Sequence, residues 1–290
     1  MRAIVRWPLL FGRQEINVKR EIKDAADYEA LYKREKLKYI GLSAAGIILF
    51  LSIWEISVRT GLVNPSKLVP PSQILAGCYK KLWDKSPDGA TLMQNLFASL
   101  RLSLSGFGMA IIIGTPLGLL MGWYKPVQKL VNPIFELIRP IPAIAWIPLI
   151  ILVLGIGNLA KSFIIFFAAF VPIVINSYTG IRQVNKTYVN FSRTCGASNW
   201  TIFLKVGVPS SLPMIFGGYK VSLGNAWSTL VAAEMLASDR GLGYMILMGR
   251  QYGKINIILM GMAVIGVVGV ILYALLSIVE GYVVKGRFGS

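Results

Sequence analysis

Charge is scarce in the apolar part of this chain, and three charges stand where they could act on an anion. Arg139 opens the segment Arg139-Pro140-Ile141-Pro142, Lys220 lies a third of the way along a long apolar run, and Glu234 lies near that run's far end. An ionisable group inside hydrocarbon is costly and faces protein or water. At helical spacing Gly224 and Trp227 share the face of Lys220, while Asn225 and Ser228 fall on the adjacent strip. These seven residues are the candidate translocation path, with two cations attracting a small anion. A structural reading stands beside it: Arg139 pairs with Glu136 at i−3, and Lys220 caps neighbouring carbonyls.

Other chemistries are excluded by what is missing. The chain has no histidine, which removes Ser-His-Asp catalysis and His-based metal sites. No Gly-x-x-x-x-Gly-Lys-Ser/Thr segment occurs, so any ATP hydrolysis must take place on another polypeptide. The 13 acidic residues are scattered, six of them before residue 39, and form no metal-ligating cluster. These absences argue against an enzyme and predict no cofactor bound by this chain.

A second group of residues suits protein docking. The polar segment around 186–206 predicts a short helix over 186–195, a bend at Gly196 followed by Ala197, and a second helix capped by Ser198 or Asn199. On that second helix Trp200, Phe203 and Leu204 fall at i, i+3 and i+4 and predict an aromatic ridge for a partner's groove. Arg193 and Lys205 flank it and could pair with acids on that partner, and Asn190 stands ahead of the bend.

This segment, Asn190-Phe191-Ser192-Arg193-Thr194-Cys195-Gly196 through Leu212-Pro213, resembles the cytoplasmic EAA loop of ABC importer permeases. The stretch Ala232-Ala233-Glu234-Met235-Leu236-Ala237 with Gly241-Leu242-Gly243 resembles the branch serving nitrate, taurine, alkanesulfonates and bicarbonate. The resemblance covers residues 40 to 285. It implies an all-α polytopic membrane protein with the type I (MetI-like) permease fold and six transmembrane helices. It further implies a homodimer, two cytoplasmic ATPase subunits carrying ATP and Mg, and a periplasmic or lipid-anchored binding protein. The substrate it points to is taurine or another organosulfonate, with nitrate, bicarbonate or an aromatic carboxylate behind it. The chain departs from the family pattern at Asn190-Phe191-Ser192, where the family has Glu-Ala-Ala, so an acidic contact to the ATPase is missing.

The elements that must position these residues are membrane helices. With 55% hydrophobic and 15% charged residues, the chain contains apolar runs at 39–58, 99–123, 134–155, 160–180, 209–235 and 255–279, each able to cross a core of ~30 Å. If both termini are cytoplasmic, inner segments hold 18 of the 30 Lys and Arg and outer segments nine, the bias that keeps basic loops inside. That puts the 186–206 loop in the cytoplasm, and the resemblance implies that the membrane is the bacterial inner one. The net charge of +17 then reflects basic loops on an anionic leaflet and requires no nucleic acid. Cys78 falls outside and Cys195 inside, so a disulfide between them is rejected. Residues 1–38 form a charged extension that reads either as an interfacial amphipathic helix or as a solvated tail. Gly106, Ala110, Gly114, Gly118 and Gly122 repeat every four positions, a stripe that lets helices pack closely. The other class considered is an ion-coupled secondary transporter without an ATPase, whose acid relays and inverted repeats are not visible.

Overall fold

The computed structural model describes residues 25–64 and 67–288 and is helical throughout, with no strand among the described residues. It divides into two units, Met1–Pro65 and Ser66–Ser290. The first contributes one helix, α1 (Ala25–Arg59), whose part from Leu37 onward is apolar and long enough to span a membrane. The helix runs unbroken through Lys38, so no change of backbone marks the expected boundary there. Of the 1–38 extension read as an interfacial helix or a solvated tail, residues 1–24 lie outside the described residues.

The second unit starts with a short helix, α2 (Pro71–Lys81), which no apolar run announced. The spans proper begin with α3 (Leu92–Trp123), fixed by a capping box in which Gln94 N–H donates to Thr91 Oγ1 and Thr91 N–H donates to Gln94 Oε1. After it come α4 (Lys125–Ile138), a 3₁₀ turn (Ala143–Trp146), α5 (Ile147–Leu154) and α6 (Asn158–Arg182). The third expected span, 134–155, is therefore not one helix. Pro140 and Pro142 remove two backbone donors at 139–142, and the two halves meet at an 84° bend. Two more short helices, α7 (Lys186–Thr194) and α8 (Asn199–Ile202), precede a π turn (Phe203–Gly207) that feeds α9 (Val208–Ala237). The chain ends with α10 (Leu242–Gln251) and α11 (Ile255–Phe288). Among the described residues five helices are long and apolar enough to cross a membrane, six with the bent pair counted as one span.

The core of the second unit is α3 against α6, with α9 packed on α6 and also touching α3. The glycine stripe performs the close packing expected of it. A Cβ on Gly118 would lie 2.5 Å from the Val174 carbonyl, one on Gly122 2.2 Å from the Ile181 side chain, and one on Gly106 2.7 Å from the Ser162 carbonyl. Only hydrogen at these positions lets the two backbones approach this closely.

Candidate functional site

The α7–α8 segment forms as its sequence dictates. Asn185 caps α7 through Thr187 N–H, and Ser198 caps α8 through Thr201 N–H. Between them Gly196 takes φ +79°, its N–H donates to the Arg193 carbonyl, and Ala197 N–H donates to the Ser192 carbonyl. This is a Schellman ending, in which a left-handed residue satisfies two free carbonyls.

The aromatic ridge differs from the expected one. Phe203 is buried, its ring 5.6 Å from Trp123 and 6.0 Å from Tyr124, in a cluster with Leu119, Ile181 and Ile215. It anchors the loop to the bundle and is not available to a partner. Leu119, Trp123, Tyr124, Ile181 and Ile215 close over its side of the helix, and the π turn that begins at Phe203 lets α8 run directly into α9. Trp200 stacks on the outer side of Phe203 and stays 54% exposed, with Leu204 at 47%. Tyr188 and Phe191 of α7, which the sequence did not single out, are 60% and 70% exposed and face the same groove. That groove, about 630 Å3, is lined by Tyr188, Phe191, Leu204, Lys205 and Pro209 among others. Asn190 and Arg193 are exposed beside it, and Arg193 and Lys205 have no ion pair among the described residues.

The candidate path residues separate into three places. Arg139 shares a cavity of about 330 Å3 with Asn225 and Ser228, walled by the proline break at 139–142, by α6 at Phe167–Pro172 and by α9. Gly224, Asn225 and Ser228 with Val221 form one exposed stripe of α9. Arg139 also meets Glu136 at 3.2 Å, both side chains half exposed.

Trp227 is elsewhere: it is buried, its Nε1–H donates to the Ile265 carbonyl of α11 at 2.9 Å, and it lies close against Gly269. It is a helix-packing residue. Lys220 is not a free cation, since Glu280 of α11 pairs with its ammonium and Tyr273 lies under it at 5.5 Å. The sequence reading ended the last span one residue short of that partner. Lys220→Met alone should leave Glu280 uncompensated and lower the melting temperature of the purified protein. Pairing it with Glu280→Gln should recover most of the loss, a coupling of about 1 kcal/mol. If the two substitutions were additive in thermal melts, the pair would contribute no coupling.

Glu234 sits in a buried hydrogen-bond knot that the sequence did not reveal. Its Oε1 accepts from Ser99 Oγ at 2.7 Å and its Oε2 from Gly243 N–H at 2.8 Å. Ser99 in turn accepts from Leu242 N–H, and Asn95 Oδ1 accepts from Gly241 N–H, both at 2.9 Å. Asn95 Nδ2 donates to Asp88 at 2.5 Å, and Asp88 pairs with the buried Lys81. Three consecutive amides, at Gly241, Leu242 and Gly243, are thus bound by side chains from α3 and α9. Both glycines are required, because a Cβ on Gly241 would meet Glu234 Oε1 at 2.3 Å and one on Gly243 would meet the Val231 carbonyl at 2.7 Å. The available signal was Glu234 followed at short range by Gly-Leu-Gly, with Asn95 and Ser99 on the first turns of α3 and Asp88 in the turn before it.

An all-helical bundle with a proline-broken span, and a capped helix pair leading through a π turn into a span, describe a membrane permease. Residues 114–288 match the family described as "Binding-protein-dependent transport system inner membrane component". The taurine transport system permease protein TauC of Escherichia coli is 34% identical over 81% of this chain and 86% of its own length. The nitrate import permease protein NrtB of Synechocystis is 33% identical over 84% and 89%, and the bicarbonate transport system permease protein CmpB of Synechococcus elongatus 31% identical over 87% and 92%. The fold is that of a solved chain of the MetNI methionine ABC transporter in an inward-facing conformation, with TM-score 0.56 at 22% identity over 67% of this chain and 95% of that one. The chain belongs to this family and is a permease subunit of an ABC transporter.

Proposed function

We propose that this chain is the membrane subunit of an ATP-driven importer for a small oxyanion, with taurine or another organosulfonate first and nitrate or bicarbonate behind it. Two copies would enclose the path, two ATPases would seat in the α7–α8 grooves on the cytoplasmic face, and a binding protein would deliver the ligand at the opposite face. ATP and Mg belong to the ATPases. Both termini are then cytoplasmic and the membrane is the bacterial inner one.

The observation that carries this reading is the unbroken run from α8 through the π turn into α9. Leu204 in the groove and Ser228 in the Arg139 cavity lie on the same rod, 24 residues and so about 36 Å apart. A displacement imposed on Trp200 and Leu204 is delivered along that rod to the cavity wall, which is the coupling alternating access needs. The cavity offers a guanidinium, an amide and a hydroxyl, donors suited to a sulfonate.

The test is uptake of labelled taurine into proteoliposomes carrying the permease, its ATPase and its binding protein. Uptake is expected to require ATP and all three components, with competition by ethanesulfonate. Uptake driven by an ion gradient in the absence of the ATPase would sink the reading.

A further inference from the structure

At the end of the bundle opposite the α7–α8 loop, a cavity of about 550 Å3 lies between the start of α3, the start of α6 and the link after α9. Lys161 in its wall is only 5% exposed, yet its ammonium donates to a neutral group, Ser238 Oγ, at 2.8 Å and forms no ion pair among the described residues. An ammonium has three protons to give, and the carboxylates of Asp239 and Glu234 act on this one only through space, beyond ion-pair distance. Arg101 and Arg240 line the same cavity, also without ion pairs, and Asn158 adds an amide at the start of a 25-residue helix whose first turn carries no side-chain cap. Two carboxylates also line it. Glu234 has both oxygens engaged by Ser99 and Gly243, and Asp239 is exposed.

We infer that this cavity is an oxyanion-binding antechamber, in which Lys161, Arg101 and Arg240 hold a sulfonate, carboxylate or nitrate group between delivery and passage. The role as antechamber rests on the importer reading, whereas the anion site itself does not. Three cations set against the two carboxylates of Asp239 and Glu234 leave a small net positive charge in a partly enclosed space, which favours small anions.

The test places a reporter thiol in the cavity without removing a charge. Ala98→Cys, with Cys78→Ser and Cys195→Ser, is prepared in the complete complex with the ATPase and reacted with methanethiosulfonates carrying either a sulfonate or a trimethylammonium group. The sulfonate reagent is expected to react about 10-fold faster relative to its rate on a free thiol. Lys161→Gln should abolish that bias, Lys161→Arg should keep it, and millimolar ethanesulfonate or nitrate should slow the labelling. If Lys161→Gln does not insert, Arg240→Gln at an exposed position should reduce the bias instead. Equal rates for both reagents, a bias untouched by these charge removals, or no protection by any oxyanion would overturn the proposal. A complex that imports no oxyanion yet shows the Lys161-dependent bias contradicts the transport reading alone.

Discussion

Gly241→Ala is expected to be among the most damaging single substitutions in the protein. Its φ of +122° disfavours any residue with a Cβ, and that Cβ would lie 2.3 Å from Glu234 Oε1. The carboxylate must then leave Ser99 and Gly243, and the Gly243 amide loses its acceptor. Backbone strain and an unsatisfied buried carboxylate together cost about 3 kcal/mol or more. Gly89→Ala is the control: it has φ +75° but open space around the added methyl, so only the strain remains, about 1 kcal/mol. Thermal melting of the purified proteins compares them. Equal losses at the two positions would mean that the Glu234 knot contributes nothing.

Trp200→Ala is expected to release the ATPase while leaving the bundle folded. The indole is half exposed and rests on Phe203 without filling the core, so its removal should hardly move the melting temperature. As an aromatic anchor it should weaken association by about 2 kcal/mol, roughly 30-fold in affinity. Phe203→Ala should do the opposite, costing about 3 to 5 kcal/mol of folding stability because it empties a buried cluster. Co-purification of the ATPase at the wild-type level with Trp200→Ala would remove the indole from the interface.

The contrast between these two rings shows where sequence reasoning worked. Local chemistry was legible: Ser198 as cap, Gly196 as left-handed bend and the glycine stripe as a close helix contact follow from rules that act within a few residues. The direction of Phe203 was not, because spacing groups Trp200, Phe203 and Leu204 on one side of the helix without saying which part of that side lies against the bundle. The proline pair at 140 and 142 signalled a distortion, but a hydropathy run cannot distinguish a kink from an 84° break. Partners distant in sequence were invisible for the same reason. Lys220 and Glu280 are 60 residues apart, and Ser99 and Glu234 are 135 apart, so only the packing of α3, α9 and α11 brings them together. Among the candidate path residues, Arg139, Asn225 and Ser228 converge while Trp227 and Glu234 do structural work, since apolar spans give no phase by which to tell a cavity face from a packed one.

The central claim is that the α7–α8 loop is the cytoplasmic seat of the ATPase, and Cys195 reports on it directly. Cys195 is exposed, one residue before the bend, whereas Cys78 is half buried and its thiol pKa is pushed up by desolvation, so its reaction is slow. The measurement is the rate at which a membrane-impermeant maleimide modifies Cys195 in inside-out vesicles, with and without the ATPase. The account predicts rapid modification from that face, none in right-side-out spheroplasts, and marked slowing when the ATPase is bound. Modification of Cys195 from the outer face, or a rate indifferent to the ATPase, would contradict it.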